Sequence, residues 1–558
     1  MGMLDVFDSS DPDQLSLDVT TLPADDDAVG VQIARQLADN LNFAGIDATL
    51  DPQDDEQAFR TLLIDHDFDI FVGRHPLIDD PDELRALLHT RFTEEPGWQN
   101  PYGITSPIID DLLERQRQSL GTAREDAVED LQRRLIELQP FSTIGFPSRL
   151  TATRRDLSTE SIPNGLATRH AYLNLERANP DRDSLRVSLL RSNATTNWNP
   201  LVSENETDNA ILDLIYEPLF ERIDGDLTPW LAEDVTWADS GTSVTATIQL
   251  RPTLQWHDDT PLTTADVAFT YEFLQDTTLS DSEDPVPAMR FRGRSSLVDD
   301  VDTRSNTEVV LEFQDTSVEV ARRALTVPML PKHRWEDHTK RIQTYQSEAL
   351  EIDNEEPIGS GPFVFEEATD EQGLTLTRNV DHFLFDIENP DEALEPLIAE
   401  STFEEVDFEV AANPGVAIAA IDNGERDITA ASLPILDTDA LEEEFEELEV
   451  LLGEGTDFFL IGFNTRRHPL GNHRFRRIVS RLVDRGYIAE EVASGYAIPS
   501  NTPLQRTKYL TEEFEWTGES MLGPFPGEDG EADPELARSL FRDAGFRYDE
   551  DGDLLTQQ

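Results

Sequence analysis

From Leu15 onward the apolar residues change their spacing again and again, and that change limits the folds open to this chain. Leu15, Leu17 and Val19 recur every second residue, as in a strand, whereas Val29, Ile33, Leu37 and Leu41 recur every fourth, as on one face of a helix. "AGIDATL" and "DFDIFVGRH" return to strand spacing, "SPIIDDLLERQRQ" and "AREDAVEDLQRRLIEL" read as helices, and "FSTIGFP" is extended again. Beyond them "SLRVSLLR", "TATIQLRPTLQW", "TEVVLEFQD", "GLTLTRN", "EEVDFEVA" and "DFFLIGFNT" predict strands. "TTADVAFTYEFLQ", with Thr263 and Asp266 as a capping pair, "GVAIAAIDNG" and "HRFRRIVSRLVDRGYIAEEVA" predict helices. Such switching between periods of two and 3.6 predicts an α/β fold. With 558 residues the chain has room for roughly three or four average domains or two large lobes.

The chain closes on "DPELARSLFRDAGFRYDEDGDLLTQQ". Asp533 suits an N-cap and Pro534 the first helical turn, Leu536, Leu540 and Phe541 form an apolar stripe, and Gly545 falls where a left-handed cap belongs. An acidic turn follows, and then two leucines that read as the start of a strand.

Charge sets the conditions under which this chain folds. It carries 114 Asp and Glu against 44 Lys and Arg, a net charge of −70, and its three lysines are Lys332, Lys340 and Lys508. At low salt so much like charge opposes compaction, while at molar salt the Debye length falls to about 3 Å and the repulsion is screened. Acid spread along every segment therefore reads as the solvated surface of an extreme halophile, and an acidic patch for a basic partner would be clustered instead. No basic stripe is present to meet phosphates, which argues against a nucleic-acid partner. Hydrophobic residues at 38% and 28 Phe supply a core that a disordered chain lacks.

Cysteine is absent, which removes disulfides, thiolate chemistry and a lipid-modified cysteine. "MGMLDVFDSSDPDQ" has no basic region followed by an apolar run, so no signal peptide is visible, and no stretch approaches the roughly 20 apolar residues of a membrane span. Paired carboxylates carry no information where acid is everywhere. "WHDDT" at Trp256 to Thr260 reads as a hydrogen-bonded turn rather than a metal site, and "GSGP" at Gly359 to Pro362 as a tight turn where two backbones approach closely. "DEDGD" at Asp549 to Asp553 lacks the glutamate of a calcium loop, and no HExxH, HxH or GxSxG grouping occurs. These motifs give no positive support to an enzyme, a cofactor or a metal, although an active site can assemble from distant residues.

Taken in order, the segments from Ser184 onward resemble the family 5 solute-binding proteins of ABC transporters, the peptide, nickel and oligosaccharide receptors. "LRVSLLRSNATTNWNPLVSENETDNAILDLIYEPLFERIDGDLTPWLAEDV" is similar to the family's opening strand, its turn ending in Pro and its "YExL" helix, and "LRPTLQWHDDTPLTTADVAFTYEFL" to its "PLTAEDVVFT" block. "PIGSGPFVFEEATDEQGLTLTRNVDHF", "AIAAIDNGERDITAASLP" and "FFLIGFNTRRHPLGNHRFRRIVSRLVDRGYIAEEVASGYAIPSNTPL" resemble three later blocks. The family's carboxy-terminal third is resembled by the beginning of this chain, from "LSLDVTT" to "LLHTRF" and in "AREDAVEDLQRRLIELQPFSTIGFPSRLTATR". In relatives the strand resembling "LSLDVTT" follows the helix resembling "PELARSLFRDAGF". The chain thus looks like a circular permutant, cut in that loop.

The resemblance implies a two-lobed, type II-like periplasmic-binding fold with a hinge and a small extra subdomain, in permuted order. The expected divisions are a leader at 1–14, half of lobe two at 15–150, a junction with part of lobe one at 151–183, lobe one with the subdomain at 184–400, and the other half of lobe two at 401–558. It implies a monomer that binds a peptide or other small solute in the interlobe cleft and delivers it to ABC permease subunits. The location implied is extracytoplasmic and membrane-associated, although the absent signal peptide and lipidation cysteine leave a cytoplasmic location open. The residues expected to line the cleft are Arg74, His75, Trp98, Asn100, Trp198, Asn199, Tyr216 and Asn464. Peptide receptors of the family carry a "W-x-A-D" segment whose aspartate holds the ligand's amino terminus; here Arg74 stands at the Trp position and Leu77 at the Asp position. An intracellular binding protein without a transport role, or the product of a rearranged receptor gene, is the alternative.

Overall fold

The structure, a computed structural model, describes residues 13–556 apart from 176–182, 191–194, 203–209, 224, 242, 281–283, 386, 388–392, 399–402, 435–440 and 442. In chain order the strands are β1 (Ser16–Thr21), β2 (Asp47–Pro52), β3 (Ile70–Pro76), β4 (Phe141–Arg154), β5 (Ser184–Leu189), β6 (Phe220–Ile223), β7 (Asp226–Pro229), β8 (Ala232–Asp239), β9 (Ser243–Leu250), β10 (Asp300–Thr303), β11 (Glu308–Gln314), β12 (Arg341–Gln343), β13 (Gln346–Ser347), β14 (Phe363–Thr369), β15 (Gly373–Arg378), β16 (Glu405–Val410), β17 (Ile428–Thr429), β18 (Leu448–Glu454), β19 (Asp457–Phe463) and β20 (Ala497–Pro499). The large sheet runs β14-β15-β16-β5-β17-β4-β19-β3-β1-β2, with β18 and β20 also paired to β4, and β10-β11-β9-β8 form a second sheet. The large sheet is mixed, for β1 lies parallel to β2 and β3 while β19 lies antiparallel to β3 and β4. The expected α/β class is therefore observed.

Strand β19 shows how sequence becomes layer. Its run "DFFLIGF" puts Phe459, Ile461 and Phe463 into one buried cluster and Phe458 and Leu460 into another, so both faces are covered and the run reads as continuously apolar. Strand β3 divides in the same way, with Ile70 and Val72 on one side and Phe71 on the other. One cluster gathers Leu15 to Ile46 with Phe475 and Phe541, the other gathers Leu62 to Leu138 with Leu504 and Tyr509. The largest cluster is separate and runs from Leu157 to Ala430, centred on Trp230, Tyr271 and Phe313.

The two regions meet at β4. The amino-terminal half of this strand pairs with β19, and its carboxy-terminal half pairs with β18 from Ser148 opposite Glu454 to Arg154 opposite Leu448. Only Gly455 and Thr456 separate β18 from β19, so a two-stranded antiparallel ribbon passes from one core to the other.

Several expectations need correction. Within 401–558, expected as the other half of lobe two, Phe403, Val406, Phe408, Ile428 and Ala430 belong to the first core, because β16 pairs in parallel with β5. Within the expected junction at 151–183, Leu157, Ile162, Leu166, Tyr172, Leu173 and Leu175 pack into that first core; residues 176–182 lie outside the described residues. The long helix expected after His473 stops at Arg481, because Asn40 binds the Leu482 carbonyl at 2.8 Å and Asp484 caps a new turn by accepting from the Tyr487 N–H.

The closing helix spans Pro534–Asp543 with Asp533 accepting from the Leu536 N–H at 2.8 Å. Its buried face is Ala537 and Phe541, the latter 5.3 Å from Phe475, while Leu536 of the expected stripe is 55% exposed. Tyr548 bridges Leu554 across the acidic turn, and Leu555 then bridges Gln14, with the Leu15 N–H donating to the Leu554 carbonyl at 2.7 Å. Residues 13–15 and 554–556 are thus neighbours on one sheet edge.

"WHDDT" is a turn, in which Trp256 N–H donates to Thr260 and Asp259 N–H to Trp256, and among the described residues no group of three metal-ligating side chains occurs. "GSGP" is the expected close approach: a Cβ on Gly361 would lie 2.2 Å from the Leu214 carbonyl oxygen, and one on Gly359 1.8 Å from that of Ile215. Gly361→Ala should therefore cost about 2–3 kcal/mol of unfolding free energy. Chemical denaturation in molar potassium chloride measures it, and an unchanged midpoint would contradict the packing described.

Candidate functional site

The second region presents the end of β3. Arg74 lies opposite Phe459, with its guanidinium carbon 4.4 Å from that ring's centre, and it bonds Asp27 at 3.0 Å and Asp457 at 3.2 Å. Burial opposes its charge, but the two carboxylates outweigh burial and hold the guanidinium protonated. Asp27 is also the N-cap of the helix Ala28–Phe43, accepting from the Gly30 N–H. Arg74 therefore fastens the first helix to β19, although 32% of its side chain remains exposed. His75 is 9% exposed, lies edge-on to half-buried Trp98 at 4.6 Å, and bonds the Pro76 carbonyl through Nδ1 at 2.7 Å. Burial pulls its pKa down to about 4, so the ring is neutral at ordinary pH.

After Trp98 the chain crosses to the first core. Gln99 donates to the Met289 carbonyl at 3.0 Å, and Glu95 pairs with Arg292 at 2.8 Å. Arg290, between them, donates to the Pro200 carbonyl at 2.9 Å and so holds the loop containing Trp198 and Asn199. The segment Met289–Arg292 is thus bonded by Glu95 and Gln99 from one region and by the Pro200 carbonyl from the other. Trp198 is buried against Phe365 at 4.9 Å, and the Asn354 amide donates both to the Trp198 carbonyl and to the Tyr216 hydroxyl. Beside Tyr216 opens a cavity of about 340 Å3 in the first region, lined by Trp335, Ile352 and Ile358 and by His333, Arg334, Asp337, His338 and Asn354.

Of the eight expected residues, Trp198, Asn199 and Tyr216 come together on the first core, and Arg74, His75, Trp98 and Asn100 on the second. The three asparagines do other work. Asn100, at φ 44°, donates to the carbonyls of Leu88, His89 and Ile104 and accepts from the Ile104 N–H. Asn199 donates to Ala349 and Ile352 and accepts from Leu201, while Asn464 donates to His66 and Phe68 and accepts from Arg466. All three are buried, with their amides engaged by backbone. Sequence reasoning missed Arg334, His333 and Asn354. A signal existed, for "PKHRWEDH" holds one of three lysines beside an arginine and two histidines in an otherwise acidic chain.

The sequence model of the bacterial extracellular solute-binding proteins, family 5 Middle, matches residues 226–557, more than half of the chain. The chain belongs to this family. Its members are solute-binding proteins, not enzymes. The chain is 23% identical over 309 residues to the oligopeptide-binding protein AppA of Bacillus subtilis (strain 168), covering 54% of this chain and 50% of AppA. It spans about half the length of the curated relatives it matches. Among solved structures, NikZ from Campylobacter jejuni in complex with Ni(L-His) aligns at a TM-score of 0.47 and 19% identity over 67% of this chain and 66% of that one. AppA from Bacillus subtilis in complex with a nonapeptide aligns at 0.45 and 19% identity over 67% of each chain.

The neutral His75 ring has a pH signature. The unfolded chain takes up this proton near pH 6.5 and the folded chain only near 4, so the stabilisation is whole above pH 6.5 and is lost as pH falls toward 4. Between pH 7 and pH 5 the loss amounts to about 2 kcal/mol. His75→Gln should flatten that part of the profile by a comparable amount, read from urea midpoints at the two pH values in constant molar salt; an equally steep profile would refute the assignment.

Proposed function

We propose that this protein is the solute-binding component of an ABC importer, taking peptides or peptide-like solutes into the cleft between two lobes that close about the β4/β18–β19 ribbon. Membership of family 5 carries this reading. One lobe would comprise the first core, with the β8–β11 sheet as its smaller subdomain, and the other the two clusters around β3 and β19. Solute held between the lobes favours closed over open by its differential affinity, and that difference drives the motion. The protein would act as a monomer outside the cytoplasmic membrane, deliver to permease subunits, and have no part in nucleic-acid binding. Among the described residues no helix is long and apolar enough to cross a membrane.

In this reading Trp98, His75, Trp335 and Tyr216 offer flat surfaces to apolar parts of the solute, and Asn354 offers an amide for its peptide groups. A carboxylate would meet Arg334, next to Asp337 on the same wall, since Arg74 is engaged by Asp27 and Asp457. Leu77 packs against the apolar cluster under β3, so an amino terminus would find no carboxylate at that position. Recognition would then rest on the carboxylate and backbone of the solute rather than on its amine.

Two further proposals concern the chain itself. Contact between residues 13–15 and 554–556 supports a circularly permuted order, in which a chain joined across that edge and opened between 175 and 183 keeps the same core. The net charge of −70 supports a halophilic habitat.

Melting in molar potassium chloride with pooled peptides of two to eight residues tests the function. A ligand at 100 times its dissociation constant should stabilise by about 2.7 kcal/mol, and a cooperative melt that no peptide moves would reject the peptide class. The same melt repeated at 0.1 M salt should show a much lower midpoint, because unscreened repulsion then opposes the folded state; equal midpoints would reject the halophilic reading. The rejoined and reopened chain should melt within a few degrees of the original, and failure to fold would count against permutation.

A further inference from the structure

Beyond the ribbon and the Gln99–Met289 contact, the two regions also meet through a cluster of ion pairs. From the second region come Asp80, Asp82 and Glu83, at the start of the helix Glu83–Leu88, with Arg117 and Arg124; from the first come Glu319 and Arg323. Arg323 forks onto Asp82 at 2.9 Å and Glu83 at 3.0 Å, with the guanidinium and the Asp82 carboxylate both almost wholly buried. Asp82 also accepts from the Gln116 amide at 2.9 Å and faces Arg117 at 3.9 Å. Arg124, fully buried, bonds Asp80 at 2.6 Å and reaches across to Glu319 at 3.1 Å. Glu319 is met a second time by Lys508 at 2.6 Å and by the Tyr509 hydroxyl at 3.0 Å. The Ser317 N–H donates to the Arg117 carbonyl, which ties the backbones at the same place. The apolar clusters stop on either side of this face.

We infer that Arg323 and Glu319 form a closure latch with Asp80, Asp82, Glu83 and Arg124, a set of positioning residues that aligns the lobes without touching solute. The inference rests on the hinged reading of the function. Charges removed from water need partners of good geometry, and a planar guanidinium shared by two carboxylates fixes position and angle together. When the lobes separate, the same groups are solvated by water. An apolar contact in this place would hold the lobes shut. The latch also helps to place the loop bearing Trp98, because that loop continues from the helix that begins at Glu83 and is bonded to Met289 and Arg292 through Gln99 and Glu95.

The chain has no cysteine, so a single pair placed at exposed Asp126 and Glu233 reports the distance between lobes by spin labelling. In molar potassium chloride without added solute, the parent protein should show a short-distance population. Arg323→Gln should lower the ratio of short to long distances by roughly tenfold or more, and Arg323→Lys should restore part of it. Glu319→Gln should act in the same direction, and it decides the matter if Arg323→Gln fails to fold. A short distance that both Gln variants leave in place, whatever their melting temperatures, would overturn the inference by making the network merely structural. So would a parent distribution with no short distance. Because no peptide is present, failure of peptide binding leaves this result unaffected, and the two readings fail separately.

Discussion

Strand β4 is the constraint on which the rest of the structure depends. Fourteen residues long, it pairs at one end with β19 and β20 and at the other with β17 and β18, so one continuous backbone belongs to both cores. The hydrogen-bond ladder fixes how the strands leave each core, and the register slips between Phe459 and Leu460, near the point where the partner passes from one core to the other. A small cluster of Leu150, Ala152, Ile418, Leu433 and Leu448 supports the ribbon on the side of the first core. Because only Gly455 and Thr456 lie between the two partner strands, the ladder along β4 is nearly continuous from one core to the other.

The second constraint is how an acidic chain builds an interior. Positive charge is carried almost wholly by arginine, and several arginines lie where a lysine could not be satisfied. Arg476 donates to the carbonyls of Leu138, Gln139 and Leu470, and Arg485 to the Thr143 carbonyl and the Ser142 hydroxyl, without a carboxylate partner in either set. Burial pulls both down to about 10, which still leaves them charged at neutral pH. The five donors of a guanidinium tie helix ends to strand starts inside the fold, and the surface is left to carboxylates.

Much of this was legible in the sequence, and the reasons for the exceptions are physical. Period and capping marked the longer helices and many of the strands, down to the capping box of Thr263 and Asp266 and the N-cap at Asp533. The helix after His473 was read too long because its apolar spacing continues past Leu482, while the bonds that break it come from Gln36 and Asn40, more than 440 residues away. The boundary near residue 400 was misplaced because composition marks loops, whereas membership of a core is decided by strand pairing. Asparagines beside aromatic residues look alike in sequence whether they face a ligand or staple a loop, and here Asn100, Asn199 and Asn464 staple loops.

Sequence separation also explains why the second region could not be read as a unit. Its core joins Leu17, Val19 and Ile33 to Phe475, Phe541 and Leu554, residues from opposite ends of the chain. The local signals within each piece are strong, but neither piece covers its own apolar face. Strand β1 leaves an edge that β3 must pair, and β3 leaves one that only β19 completes. The first core closes largely on residues 157–430, whereas the second exists only when both ends of the chain have been brought together. Long-range closure of this kind delays the gain from apolar burial until the loop entropy has been overcome, so the first core is the region that should form earlier in folding.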